Sequence, residues 1–234
     1  MNKLARVGIF GGTFNPVHLA HLRMAEEAAE ALKLNKIIFV PAGTPPFKRK
    51  RGKVDMAGAD ERAQMVRMAI IGNPLFELSR IECKGEGVSY TVDTLEAFTS
   101  RGDMKLFLVM GLDAFMEFHL WKRPERILEL AELAVVSRPV SNPGAKTSGW
   151  LIAEKSPFVP RGGIGRALGA ARGKQRPVSI GLRPSGTLYL INSTGMDISA
   201  SGIRARIRGG KSVRYLLPQR VESFIMTRNL YGKR

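Results

Sequence analysis

Two of the chain's three histidines, His18 and His21, stand three residues apart in the stretch GIFGGTFNPVHLAH of residues 8–21. An i, i+3 pair shares one face of a helical turn, so both imidazoles can address one ligand. Just before them, Gly11 and Gly12 offer backbone without side chains. A strand running into such a turn and then a helix N-terminus is a general anion site. Backbone N–H groups and the positive end of the helix dipole both face the turn. Imidazole N–H groups beside it would donate to phosphoryl oxygens and stabilise charge developing there. Two other readings compete. Metal ligation needs a third ligand and a nearby carboxylate, and neither is evident, so no residue is assigned to a metal. The pair could also be structurally satisfied histidines with no function. The stretch is not a Walker A loop, because no Gly-Lys-Ser/Thr follows, and it lacks G-x-G-x-x-G spacing. GGIGRALG at 162–169 has that look superficially but follows Pro160-Arg161 rather than a strand, and is discounted.

The elements that must position these residues alternate in type. Leu4–Phe10 is predicted as a buried strand ending at Gly11-Gly12. A helix follows from Pro16 to about Leu34, with Leu19, Leu22, Ala25, Ala29 and Leu32 at helical spacing. Asn15 suits an N-cap and Pro16 the first helical position. Lys36–Val40 is a second apolar strand, so the first 40 residues describe a βαβ crossover, which demands a parallel sheet. Further helices are predicted at Ala59–Ile71, Thr91–Ser100, Pro124–Ala131, from about Ser201, and at Pro218–Asn229. Further strands are predicted at Phe76–Ile81, Met104–Met110, Leu133–Val136 and Leu188–Ile191. The expectation is one α/β domain over 1–234, a doubly wound parallel sheet with a Gly/Pro-rich basic insertion at about 139–186. A structureless connection that long is uncommon, so the insertion is functional, mobile or locally folded.

The net charge of +17 is unevenly spread: residues 1–137 hold 19 Lys and Arg against 17 acids, and residues 138–234 hold 18 against 3. Such a field favours polyanionic ligands, although a solvated basic surface would look the same. The single cysteine, Cys83, excludes an internal disulfide and a cysteine-based zinc site. No run approaches the ~18 apolar residues of a membrane span. The N-terminus moves straight into a strand, so no secretory signal is expected and the compartment reads as cytoplasmic and reducing.

GGTFNPVHLAH resembles the G-x-F-x-P-x-H-x-x-H signature of the nucleotidyltransferase superfamily of adenylyl- and cytidylyltransferases. ISASGIRARI (198–207) resembles its I-S-x-T/S-x-x-R segment at the start of a late helix. VPAGTPPFK (40–48), DERAQMVRMAI (60–70), GVSYTVDTL (87–95), MGLDAFMEFHLWKRPERIL (110–128) and LLPQRVESFIMTRNLY (216–231) are similar to nicotinate-nucleotide adenylyltransferases. The resemblance covers nearly the whole chain except 139–186. It implies a Rossmann-like sheet of the nucleotidyltransferase type and the reaction of ATP with nicotinate mononucleotide, giving the deamido dinucleotide and pyrophosphate in NAD biosynthesis. The chain departs from the pattern at Asn15 (commonly Asp), Ala20 (Gly), Phe47 (His), Leu112 (a small residue) and Ser201 (Thr).

The resemblance also implies a site. His18, His21 and Arg204 form its catalytic set. Gly11, Gly12, Thr13, Phe14, Lys48, Gly111, Asp113, Ile198, Ser199 and Ser201 join them in binding ATP. Asp113 accepts from a ribose hydroxyl, or alternatively only caps a helix. Trp121 is the platform for the pyridine ring, or core packing; Thr91 and Lys122 line the same substrate. Tyr90 and His119 are taken as structural. Mg²⁺ accompanies ATP, held mostly by phosphate and water. The partners expected are ATP and nicotinate mononucleotide. A homo-oligomer is left open, no membrane is involved, and nucleic acid is not the main ligand. The alternatives are a sister adenylyltransferase using nicotinamide mononucleotide or phosphopantetheine, and an RNA-binding module. Against the latter, no anticodon-type domain follows and no aromatic-interleaved basic sheet is visible. The preference for nicotinate rests on resemblance: a carboxylate needs donors alone, an amide an acceptor too, and the sequence does not reveal that inventory.

Overall fold

The computed structural model describes residues 4–45, 56–85, 87–102, 104–137, 150, 152–170 and 177–232. Strand β1 (Ala5–Gly12), helix α1 (Leu19–Leu32) and strand β2 (Lys36–Pro41) make the predicted crossover. The runs Val7–Phe10 and Ile37–Val40 are buried throughout, as befits parallel strands covered on both faces. Gly8 permits the close approach this needs: a Cβ there would lie 3.0 Å from both Leu34 Cδ1 and Ile37 Cγ1. The chain continues through α2 (Ala59–Ile70), β3 (Phe76–Leu78), α3 (Thr91–Thr99), β4 (Met104–Gly111), α4 (Leu112–Met116), α5 (Pro124–Leu130) and β5 (Ala131–Ser137). It ends with α6 (Gly163–Ala170), β6 (Val178–Gly181), β7 (Thr187–Asn192), α7 (Ala200–Arg208) and α8 (Gln219–Thr227).

The seven strands form one sheet in the order β3-β2-β1-β4-β5-β7-β6. Strands β1, β4, β5 and β7 run parallel, with Ile9 opposite Leu108, Val109 opposite Ala134 and Val136 opposite Ile191. The order turns back at β1, whose carboxyl end is the glycine turn. In open α/β sheets, ligands bind beyond strand ends where the winding reverses. The chain packs as two compact units, one of Met1–Phe10, Met24–Ile37 and Thr91–Gly195, the other of Gly11–Arg23, Ile38–Tyr90 and Met196–Arg234. No helix among the described residues is long and apolar enough to cross a membrane.

Two expectations change. Helix α1 begins at Leu19 rather than Pro16, so Asn15 is not its N-cap and Pro16 not its first residue. Asn15 is buried, and its Oδ1 accepts from Ala57 N and Tyr231 Oη, tertiary bonds that outcompete the local cap. The described residues of the insertion are locally folded. They hold a 3₁₀ turn at Ile152–Lys155, helix α6 and edge strand β6, which pairs antiparallel with β7. GGIGRALG is the start of α6, not a dinucleotide turn.

The insertion also contributes to the core of the first unit through Ala153, Phe158, Ile164 and Ile180. Trp150 is 1% exposed, and its indole N–H donates to Asn192 Oδ1 at 2.9 Å beside β7. Replacing Trp150 with Ala should cost about 3–5 kcal/mol, the usual penalty for emptying an aromatic site. Urea denaturation of the two proteins checks this, and an unchanged midpoint would mean the insertion does not carry core weight.

Candidate active site

Most residues with the chemistry for phosphate lie in the second unit, around the turn that ends β1. Gly12 has a steric reason: a Cβ there would meet Phe14 Cζ at 3.0 Å and two further ring carbons at 3.2 Å. Phe14 folds back under the glycine with a left-handed φ of 48°, an uncommon conformation for a bulky residue. Packing holds it there, with its ring 5.8 Å from that of Phe39 and edge-on to His21 at 5.1 Å. Gly11 differs, because a Cβ there would meet nothing within 4 Å. One glycine is closed by its own turn, while the other faces open space.

His18 is buried and immediately precedes α1. The rings of His18 and His21 stack, 3.7 Å apart and 24° from parallel. The backbone N–H of His18 donates to His21 Nδ1 at 3.2 Å. This is the half of a capping box that Glu or Gln usually supplies. It makes Nδ1 an acceptor, so Nε2 carries the hydrogen of the neutral His21 ring. Helix α1 therefore uses one histidine to close its first turn and orients that ring as a donor in doing so.

Ser199 is the N-cap of α7, accepting from Gly202 N at 3.1 Å. Its Oγ lies 3.3 Å from Ser201 Oγ, so Ile198, Ser199 and Ser201 lead into a helix start rich in hydroxyls. Arg204, one turn in, donates from Nη1 to the carbonyl of Asn15 at 2.7 Å. The sequence-matched segments 11–21 and 198–204 therefore meet within one unit.

The remaining candidates belong to the first unit. Gly111 is the N-cap of α4, and Asp113 sits inside the first turn with its side chain exposed, so Asp113 is not the cap. Trp121 is half-buried on Phe118, ring centroids 5.5 Å apart, and Phe158 packs edge-on against the same Phe118 at 5.4 Å. A residue of the insertion thus packs on the same ring that the indole does. Lys122 pairs with Asp93 at 3.1 Å, two residues beyond Thr91 at the start of α3. Lys48 and Phe47 lie outside the described residues. Among those residues no group of three His, Cys, Asp or Glu side chains converges as a metal site would.

Sequence reasoning missed the residues behind the turn. Arg62 is 0% exposed and uses all three guanidinium nitrogens on carbonyls: Nε to Ala57 at 3.0 Å, Nη1 to Thr13 at 2.9 Å and Nη2 to Gly43 at 2.8 Å. Burial pulls its pKa below the ordinary arginine value. Tyr231 donates to Asn15 Oδ1 at 2.7 Å, and burial raises its pKa, so it stays a neutral donor. The overlooked signal for Arg62 is its place on the α2 face that buries Met65, Val66 and Ile70. Nothing local marks Tyr231.

Residues 9–206 match the cytidylyltransferase-like family model, which places the chain in that class of nucleotidyltransferases. A probable nicotinate-nucleotide adenylyltransferase of Desulfatibacillum aliphaticivorans is 39% identical over 232 residues, covering 97% of this chain and 99% of that protein. One from Trichlorobacter lovleyi is 40% identical over 228 residues, with coverages of 97% and 99%. The chain belongs to the nicotinate-nucleotide adenylyltransferase family. Among solved structures, Plasmodium falciparum nicotinic acid mononucleotide adenylyltransferase complexed with NaAD shares the fold, with a TM-score of 0.68 and 16% identity over 97% of each chain.

The two glycines should respond differently to one added methyl. Gly12→Ala forces Phe14 to move and should cost about 1–3 kcal/mol, as overpacking does. Gly11→Ala should stay within ~0.5 kcal/mol of wild type, as a surface change does. Parallel denaturant melts check the pair, and equal losses would show that the turn is not closed by Phe14.

Proposed function

We propose that the chain transfers the adenylyl group of ATP to nicotinate mononucleotide, forming nicotinate adenine dinucleotide and releasing pyrophosphate in NAD biosynthesis. The observation that carries the reaction is the stacked His18–His21 pair at the start of α1, directly after the glycine turn. The choice of substrate is supported by membership of the family across 97% of the chain.

The attacking group is the mononucleotide's phosphate, mostly dianionic near neutral pH because its second pKa is about 6. It needs no general base. An oxygen–phosphorus bond forms at the α-phosphate of ATP while the bond to the β-phosphate oxygen breaks, and pyrophosphate leaves. Charge repulsion and alignment set the barrier, so the protein's contribution is positioning and electrostatics. In this reading His18 donates to the α-phosphate as charge develops, and His21 Nε2 donates to the triphosphate. The backbone of Gly12 and Thr13 approaches the phosphates, with Gly11 leaving room and Phe14 holding the turn's shape. Ser199, Ser201 and Arg204 hold the β- and γ-phosphates at the start of α7, where the helix dipole adds to their effect. Lys48 adds a further cation.

The family resemblance supplies the remainder of the reading. Asp113 accepts from a ribose hydroxyl, and Trp121 backs the pyridine ring, with nearby backbone N–H groups and Thr91 reaching its carboxylate and Lys122 lining the same substrate. Mg²⁺ enters with ATP, held by phosphate oxygens and water, which suits a site whose donors are imidazoles, hydroxyls and guanidinium. When bound, it neutralises charge on the leaving pyrophosphate. The activity is assigned to the cytoplasm.

Pyrophosphate release with ATP·Mg²⁺ tests the reading directly, comparing nicotinate and nicotinamide mononucleotides at matched concentration. The expected result favours nicotinate. Release with neither would overturn the assignment, and release with nicotinamide mononucleotide alone would move it to the sister activity. His18→Ala should lower turnover at least ~10²-fold with the fold intact, the scale of one transition-state donor. Full turnover in a folded His18→Ala protein would mean the phosphate cradle is misassigned.

A further inference from the structure

Arg62 and Tyr231 hold none of the roles just given, yet both end on the glycine turn. A peptide group has two opposite faces: its N–H attracts an anion and its carbonyl oxygen repels one. Around this turn the carbonyls are engaged by the protein. Gly12 O accepts from Ala42 N at 2.9 Å, Thr13 O from Arg62 Nη1 at 2.9 Å and Asn15 O from Arg204 Nη1 at 2.7 Å. The Asn15 side chain is fixed by Tyr231 Oη and Ala57 N, and Arg62 Nε holds the Ala57 carbonyl in turn. Arg62, Asn15, Ala57 and Tyr231 therefore form one buried network whose outlet is the conformation of residues 12–15.

Stability alone does not call for this arrangement. Position 62 lies on the buried face of α2 with Met65, Val66 and Ile70, where an apolar side chain would pack without desolvating a charge. The guanidinium is also the one side chain whose planar fork can serve three carbonyls from three segments at once. We propose that Arg62 and Tyr231 are positioning residues for adenylyl transfer. Arg62 holds the Thr13 carbonyl and Tyr231 the Asn15 side chain, and together they leave the turn presenting donors to the triphosphate of ATP. The proposal rests on the reading that the turn binds those phosphates.

The test uses the full chain carrying Tyr231→Phe, Arg62→Lys or Arg62→Met. Calorimetric binding of ATP·Mg²⁺ is measured together with kcat, both KM values and the melting temperature. Tyr231→Phe removes one oxygen and should weaken ATP binding about 3- to 10-fold, the scale of one buried hydrogen bond. KM for nicotinate mononucleotide should stay within about twofold. Arg62→Met should weaken ATP binding at least ~10-fold, with Arg62→Lys between, because an ammonium has three donors but concentrates them on one atom and cannot span carbonyls of three segments as the guanidinium fork does. Folded variants that bind ATP as the wild type does would overturn the proposal. So would an equal rise in both KM values that tracks lost melting temperature, which is the mark of a purely structural role. Tyr231→Phe keeps the test decisive should the Arg62 variants fail to fold.

His18→Ala in the same assay separates this proposal from the reading beneath it. Full turnover in His18→Ala, or a wild-type protein that binds no ATP, removes the cradle and this proposal together. A dead His18→Ala beside unaffected Tyr231→Phe and Arg62→Met removes only the proposal.

Discussion

A tight turn after a strand must solve a problem set by the peptide bond itself. Every residue that offers an N–H also carries a carbonyl, and an unpaired buried carbonyl is costly. At the end of β1 the carbonyls of Gly12, Thr13 and Asn15 are satisfied from behind by Ala42, Arg62 and Arg204. Much of the second unit follows from that requirement. Helix α2 must bring a guanidinium to the turn, α7 must deliver a second, and β2 must run on far enough for Ala42 to reach Gly12. The two visible glycines are the smallest part of the device.

The contrast between what could and could not be read along the chain follows from locality. The alternation of strand and helix was legible because buried parallel strands are continuous apolar runs and α1 repeats its small and apolar residues at helical spacing. The shared face of His18 and His21 was legible because their geometry is set within one helical turn. Asn15 shows where such reasoning fails. Asn before Pro is a sound local signal for a helix start, yet its side chain is claimed by groups 42 and 216 residues away. Arg62 sits in the first turn of α2 beside Asp60 and Glu61, where it reads as one more surface charge. Its place on the buried face of α2 hints otherwise, and the three carbonyls it meets show what the charge does there.

The basic insertion teaches the same lesson with opposite sign. Its Pro, Gly and Arg content hides Trp150, Phe158, Ile164 and Ile180, each buried. Strand β6 is four residues long and gains its structure from β7, so no periodicity announces it. Phe158 then reaches Phe118, which carries Trp121. A segment that looks like a charged decoration thus joins the aromatic cluster that includes a candidate substrate platform.

The bond from Tyr231 to Asn15 joins residues 216 apart in sequence. A chain made N-terminus first produces the turn, the histidines and β1 well before the tyrosine, which follows Asn15 by 216 residues. Over that interval the Asn15 side chain lacks a partner that the finished fold supplies. A nascent or prematurely stopped product would carry the signature motif in full without the completed turn. In this protein, the most recognisable segment is completed by a residue made 216 positions later.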